Sequence, residues 1–159
     1  MDITPATTLS QARRYVEVER FTGVHCPCCD AFVKVYRRKI TNSQVRFLRD
    51  LYQLARQAVP SFHAGTGIGV DVRQITGQHM RGGDYSKLRH WELIEDHSDI
   101  EGASGYWAIT AKGKAFLLGQ IEVPKYAWVL RDAPVTYSDE TISVHDAWGF
   151  AFDVGELMV

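Results

Sequence analysis

The spacing of apolar residues predicts one clear helix in the first half of the chain. Between Thr41 and Pro60, apolar side chains recur every three or four positions; they are Val45, Leu48, Leu51, Tyr52 and Ala55. An α-helix completes a turn in 3.6 residues, so this spacing places them on one buried face. The run Thr41-Asn42-Ser43 supplies side chains that cap helix starts, and Pro60 would end the helix because it lacks a backbone N–H.

Shorter elements are predicted downstream of this helix. A short helix is expected at 71–76, and a second one at 84–94, with Asp84 as its N-cap after the Gly82-Gly83 break. The apolar run 106–109 is typical of a buried strand. Thr110 can cap a further short helix, at 111–118.

The helix predicted at 84–94 has two different faces. Tyr85, Leu88 and Trp91 are spaced by three residues and therefore share an apolar face. Polar and cationic side chains are expected on the other side, and they are Ser86, Lys87, Arg89 and His90. This polar face is the first candidate binding surface in the chain.

Strand patterns flank the helical segment on both sides. Apolar and basic residues alternate over 31–38, which predicts a strand with Phe32 or Val33 facing inward. After Gly119, short apolar runs separated by turn residues at 131–134 predict a small β unit. Its aromatic residues are most simply the core of that unit; they are Tyr126, Trp128, Tyr137, Trp148, Phe150 and Phe152. A stacking platform for single-stranded nucleic acid is the other interpretation, and the acidic balance of this segment argues against it. Residues 1–24 fit a helix or a strand.

Two sequence blocks carry a resemblance to a known family. The first is Leu88-Arg89-His90-Trp91-Glu92-Leu93-Ile94, and the second runs from Tyr106 to Leu117 and contains Thr110-x-x-Gly113-x-x-Phe116-Leu117. With the preceding helices, this order resembles the winged helix-turn-helix of bacterial regulators, and it is similar to small uncharacterised proteins of phages and prophages. The resemblance covers about residues 42–118. The chain is thus expected to be α+β: an N-terminal segment with a cysteine knuckle and basic strand (1–41), a winged helix-turn-helix core (42–118) and a small acidic β extension (119–159).

The resemblance implies double-stranded DNA as the partner, with the helix at 84–94 in the major groove. The residues expected to contact DNA are Ser86, Lys87, Arg89 and His90, together with Lys34, Arg37, Arg38, Lys39, Arg46 and Arg49 of the preceding basic run. The wing departs from the family pattern, because its tip carries Asp96, Asp99 and Glu101 where basic or glycine residues are usual. An acidic wing either turns away from the duplex or binds a protein. A protein-interaction module, such as a phage-made inhibitor of or adaptor to a host protein, is therefore the alternative function.

Charge is distributed unevenly along the 159 residues. Eighteen basic residues against nineteen acidic ones give a net charge of −1, and 45% of the chain is apolar, enough for a folded core. Segment 32–58 has seven basic residues and one acidic residue, whereas 119–159 has two and seven. This asymmetry fits either a surface that attracts a polyanion or two differently solvated faces.

Three cysteines cluster in Cys26-Pro27-Cys28-Cys29. Cys26 and Cys29 form one C-x-x-C pair, which is half of a zinc site, and Cys28, His25 or a distant histidine would have to supply the remainder. A homodimer that donates two cysteines per chain would also complete four ligands. Three interpretations stay open: structural zinc, a degenerate knuckle whose cysteines pack as small apolar residues, and a redox-active dithiol.

No catalytic constellation is recognisable, so we expect that the protein is not an enzyme. The run Gly65-Thr66-Gly67-Ile68-Gly69 lacks the spacing of a phosphate-binding loop, and the six histidines are scattered. The sequence has no apolar run of membrane-spanning length and no signal peptide, and we therefore expect a cytoplasmic protein.

Overall fold

The computed structural model describes residues 2–59 and 65–149, and in them short helices alternate with short antiparallel strands in an α+β fold. The α-helices are α1 (Leu9–Glu19), α2 (Asn42–Ala58), α3 (Ser98–Glu101), α4 (Ala111–Leu117) and α5 (Val144–Trp148). The strands are β1 (Val24–His25), β2 (Phe32–Val33), β3 (Tyr36–Lys39), β4 (Val70–Asp71), β5 (Ile94–Asp96), β6 (Tyr106–Ile109), β7 (Val123–Pro124), β8 (Tyr126–Leu130), β9 (Ala133–Tyr137) and β10 (Thr141–Ile142). Two 3₁₀ segments lie at Val72–Gln74 and Gln78–Trp91.

The long helix α2 confirms the prediction from apolar spacing. It starts at a capping box in which the Thr41 side chain accepts from the Gln44 N–H while the Gln44 side chain accepts from the Thr41 N–H. Its predicted apolar stripe is buried, together with Phe47, at the centre of the core. Pro60, the expected end signal, lies outside the described residues.

A three-stranded antiparallel sheet of order β4–β6–β5 packs beside α2. Strand β6 has the predicted bounds, and Thr110 caps α4 by accepting a hydrogen bond from the Gly113 N–H at 3.0 Å. The helix expected at 84–94 instead ends at Trp91, as the last part of the kinked 3₁₀ segment Gln78–Trp91. Glu92 adopts a left-handed conformation (φ 60°), which stops the helix, so Ile94 begins β5 instead.

A second three-stranded sheet, of order β3–β8–β9, joins the two ends of the chain. The basic strand β3 pairs antiparallel with β8, which in turn forms a hairpin with β9. Segments 1–41 and 119–149 therefore share a sheet, and the basic strand lies directly beside the predicted C-terminal β unit. The strand expected at 31–38 is split into β2 and β3, and of its two candidate core residues Val33 is buried whereas Phe32 is exposed.

The remaining elements lie around these two sheets. Residues left undecided by sequence form α1, which starts at a capping box made by Thr8 and Gln11. Strands β1 and β2 form a hairpin around the cysteines, and β7 pairs with β10. Throughout the part of the chain that the structure describes, every helix is too short or too polar to span a bilayer.

Candidate nucleic-acid interface

Two of the predicted DNA-binding residues share one acidic partner. Lys87 and Arg89 lie near the end of the segment Gln78–Trp91, opposite the two-residue turn between β8 and β9. The Lys87 Nζ donates to Asp132 Oδ1 at 2.8 Å, and an Arg89 guanidinium nitrogen lies 3.6 Å from Asp132 Oδ2. The hydrogen bond from Lys87 holds the pKa of Asp132 below its usual range, with further help from the charges of Lys87 and Arg89.

His90 lies in the interior, and the expectation that it projects from the exposed polar face is wrong. It is only 2% exposed, because the β8–β9 hairpin packs against this end of the helix. The Tyr137 hydroxyl donates to the His90 backbone carbonyl, and the neighbouring Trp91 indole donates to the Pro124 carbonyl at 2.7 Å. The His90 Nε2 has no hydrogen-bond partner within residues 2–59 and 65–149.

The surroundings of His90 disfavour its protonated form. Burial lowers the pKa of the imidazole, and the positive charges of Arg89, Lys87 and Arg38 lower it further, while Asp132 acts in the opposite direction. Arg38 comes from β3 and the other two cations from the helix, so the basic strand and the basic helix meet around this histidine. We call Arg38, Lys87 and Arg89 the basic cluster.

The other predicted basic residues are distributed over different surfaces. In the β3–β8 register, Arg37 lies opposite Trp128 and Lys39 opposite Tyr126, on the face of the sheet that points away from His90. The Lys34 ammonium lies 5.7 Å from the Tyr36 ring. The structure thus does not bring the whole basic run to one surface.

Arg46 and Arg49 of α2 form a separate group around Trp148 of α5. Their guanidinium carbons lie 5.5 Å and 5.1 Å from the ring centroid, and Arg49 also donates to Asp50 at 2.7 Å. Ser86, on the predicted recognition helix, is half-buried and donates to the Gly83 carbonyl at 3.1 Å. These three side chains lie outside the basic cluster.

The β5–β6 connection has the acidic character expected from its sequence. It contains α3, and Asp96, Asp99 and Glu101 are all exposed. The Asp96 side chain accepts a hydrogen bond from the Ser98 N–H, and the hydrogen bonding to Ser98 lowers the pKa of the Asp96 carboxyl. The negative charges of this connection repel phosphate.

The cysteines occupy the turn of the β1–β2 hairpin. The turn is closed by bonds from the Cys26 N–H to the Ala31 carbonyl at 2.8 Å and from the Asp30 N–H to the Cys26 carbonyl at 2.9 Å. Backbone N–H groups of Cys28 and Cys29 hydrogen-bond the Cys26 sulfur and lower the pKa of this thiol, which favours the thiolate that a metal requires.

The turn alone does not complete a zinc site. The described residues contain no cluster of three or more histidine, cysteine, aspartate or glutamate side chains placed to hold a metal ion. His25, the other nearby candidate, directs its Nδ1 to the Asp30 carbonyl at 3.0 Å. His63 lies outside the described residues. Zinc at Cys26 and Cys29 therefore stays a prediction, with two of the required four ligands on one turn.

Asp132 and Tyr137 are residues of the candidate interface that sequence reasoning missed. Both belong to the β8–β9 hairpin, and the Lys87–Asp132 contact joins residues 45 positions apart. The turn predicted at 131–134 was the sequence signal that could have pointed to Asp132, because an acidic residue at a hairpin turn lies at an exposed end of a sheet.

The buried imidazole predicts a pH-dependent stability. The pKa of His90 is lowered in the folded state, so between that value and about 6.5 the unfolded chain binds more protons than the folded one. The free energy of unfolding should therefore fall as the pH drops below about 6.5, with a contribution from His90 of at most about 1.4 kcal/mol per pH unit. Urea unfolding at a series of pH values measures this slope. The variant His90→Phe should have a flatter profile, and an unchanged profile would contradict the assignment.

Comparison with family models, with curated proteins and with solved structures finds no match for this chain. Function is therefore inferred from the geometry of the chain itself.

Proposed function

We propose that the protein binds double-stranded DNA through a winged helix-turn-helix formed by residues 42–118. The support is the order of elements: helix α2, the short 3₁₀ helix Val72–Gln74, the segment Gln78–Trp91, and then the antiparallel strands β5 and β6. In this assignment the last turns of Gln78–Trp91 are the recognition helix and the β5–β6 connection is the wing. A phage or mobile-element regulator is the role that best fits such a unit.

The observation that carries the proposal is the basic cluster. Three cations from two separate elements act on His90, and two of them, Lys87 and Arg89, share one carboxylate, that of Asp132, so the cluster keeps an excess of positive charge. Arginine and lysine at this spacing suit phosphate oxygens, and arginine also reads guanine edges in the major groove. Arg89 is the candidate for base contact, because it lies on the helix and its side chain remains 40% exposed.

The basic strand compensates for the acidic wing. In a winged helix, the wing commonly adds contacts to the DNA backbone, but here its carboxylates would repel phosphates. Arg38 of β3 acts electrostatically on His90 together with Lys87 and Arg89 of the helix. We therefore expect the duplex to contact the helix and β3, with the wing turned away from it.

The test is fluorescence anisotropy of a labelled mixed-sequence duplex at several salt concentrations. The wild type should bind at micromolar concentration or tighter, with an affinity that falls steeply as salt increases. The double variant Lys87→Ala/Arg89→Ala should bind at least about 10-fold more weakly, and the slope of log K against log salt should become shallower by about one for each phosphate contact that is lost. If Arg89 reads a base, Arg89→Ala alone should cost about 1–3 kcal/mol at a specific site.

A matched control is the double variant Arg13→Ala/Arg14→Ala, which removes the same charge from exposed positions of α1. This variant should keep nearly all of the affinity. Equal losses of duplex affinity in the two double variants would show that only net charge matters. Absence of duplex binding at low salt would refute the proposal.

A protein-interaction module is the second candidate function. One observation favours it: Ile100 of α3 is 75% exposed and is flanked by the acidic residues Asp99 and Glu101. An exposed aliphatic side chain between two acidic residues is suited to a basic protein surface. Failure of the duplex titration, combined with capture of a protein that Ile100→Lys no longer binds, would favour this function.

A further inference from the structure

The sheet β3–β8–β9 has a second face that the proposed duplex site does not use. Directly opposed residues of antiparallel strands share a face, so the register places Arg37 with Trp128 and Thr136, and Lys39 with Tyr126. Ala127 and Val129 alternate with the two aromatic residues and are buried. Tyr126 and Trp128 therefore point away from the core, on what we call the outer face: Arg37, Lys39, Tyr126, Trp128 and Thr136.

The outer face combines partly exposed aromatic rings with cations. The rings of Tyr126 and Trp128 are partly exposed and their centroids lie 6.1 Å apart. The Arg37 guanidinium carbon lies 4.4 Å from the centroid of the Tyr126 ring, which is a cation–π contact on the solvent side of the sheet. Tyr126 and Trp128, two of the aromatic residues that sequence patterning assigned to the C-terminal core, thus lie on a surface, whereas Phe150 and Phe152 lie outside the described residues.

The charge of this surface is positive in spite of the acidic segment that supplies β8. Arg37 and Lys39 are exposed, and both come from the basic strand. The nearby Lys125 is tied to Glu140 by an ion pair of 2.9 Å, so the carboxylate of Glu140 is already engaged. The acidic balance counted along the sequence does not describe the outer face, because strand pairing places basic residues of β3 beside the aromatic residues of β8.

We propose that the outer face binds single-stranded DNA. Bases have flat apolar faces that stack on aromatic rings, and exposed cations beside those rings attract the phosphates between the bases. Two aromatic rings lie on β8, and an arginine and a lysine lie on the neighbouring β3. This arrangement matches a single-stranded DNA whose bases lie on β8 while its phosphate backbone follows β3. A duplex does not fit this face, because its bases are already stacked and their faces are not accessible.

The choice of DNA over RNA rests on the proposed function. Arg38 and Arg37 are consecutive residues of β3 on opposite faces, so the duplex site and the outer face lie on the two sides of the same strand. A DNA molecule that passes from duplex to single strand would then satisfy both sites. Stacking itself does not depend on that choice.

The first experiment measures binding of a labelled 20-nucleotide deoxythymidine strand by anisotropy, together with quenching of intrinsic tryptophan fluorescence. The wild type should bind with a strong salt dependence, and stacking on Trp128 should quench part of the emission. Trp128→Leu should weaken binding at least about 10-fold, whereas Trp128→Phe should keep most of the affinity and lose most of the quenching. The conservative variant makes the test independent of any effect of leucine on folding.

Substitutions of the neighbouring residues Arg37 and Arg38 provide a matched pair of variants. Both arginines are exposed on the same strand, and each substitution removes one charge. Arg37→Gln should weaken single-strand binding about 5-fold or more and leave duplex affinity nearly unchanged, and Arg38→Gln should do the reverse. Measuring both ligands with both variants separates a failure of this inference from a failure of the duplex proposal.

Three results would overturn the inference. The first is the absence of binding and quenching with the wild type at low salt. The second is a loss of single-strand binding in Arg38→Gln as large as that in Arg37→Gln, which would move the site off the outer face. The third is tighter binding of a 20-nucleotide ribouridine strand than of the deoxythymidine strand, which would assign the surface to RNA.

Discussion

Gly113→Ala should lower the free energy of unfolding by about 3 kcal/mol, the upper end of the usual cost of steric overlap in a packed interior. A Cβ built at Gly113 would lie 2.1 Å from the Leu93 carbonyl oxygen and 2.9 Å from the Ile109 side chain. The start of α4 cannot move away easily, because the Thr110 N–H donates to the same Leu93 carbonyl at 3.1 Å. The substitution therefore forces apart the helix and the β5–β6 hairpin on which the proposed winged unit depends.

The sign of the change in the free energy of unfolding distinguishes an effect of packing from an effect of helix propensity. Alanine is the better helix former by about 1 kcal/mol, so without the close approach Gly113→Ala would stabilise α4. Urea unfolding followed by circular dichroism measures the difference, with Lys112→Ala, at an exposed position of the same helix, as the control. A Gly113→Ala variant as stable as the wild type would show that α4 does not pack on Leu93 as described.

Asp132→Asn should increase the affinity for a duplex by about 10-fold at low salt. In the proposed complex the carboxylate of Asp132 would compete with phosphate for Lys87 and Arg89, and its removal leaves two cations without their acidic partner. Asparagine has nearly the same shape and tolerates the left-handed conformation that Asp132 adopts (φ 62°), so the hairpin turn should persist. Salt titrations should show the largest gain at the lowest ionic strength.

Asp139→Asn is the matched control for this substitution. Asp139 is an exposed acid of the same C-terminal segment, and its replacement changes the net charge equally. Duplex affinity should rise much less in Asp139→Asn than in Asp132→Asn. Equal gains in the two variants would mean that Asp132 acts only through overall charge.

Local signals account for the elements that sequence patterning predicted well. The apolar stripe and Thr41 cap define α2, and Thr110 caps α4, because in each case the stabilising contacts lie within a few residues along the chain. Strand β6 was recognisable because its apolar run is buried. These elements describe the helical part of the fold before any long-range contact is known.

The sequence predictions fail where segments that are distant along the chain pack together. His90 has the sequence position of an exposed residue, but the β8–β9 hairpin covers it, and this packing leaves no trace in local periodicity. Likewise, the pairing of β3 with β8 places Tyr126 and Trp128 on a surface and not in the expected core. In the candidate site, sequence patterning placed Lys87 and Arg89 on the polar side of the helix, whereas Asp132 could be found only from the folded chain.

The pairing of β3 with β8 also sets an order of events during synthesis. Tyr126 follows Lys39 by about 90 residues, so at a translation rate of ~5–20 residues per second the basic strand waits roughly 5–18 s for its partner. An unpaired strand exposes N–H and C=O groups that invite aggregation, and charged side chains are the usual protection. The run Arg37-Arg38-Lys39 supplies that protection, so the same cations that we assign to DNA on both faces also act as gatekeepers for the nascent chain.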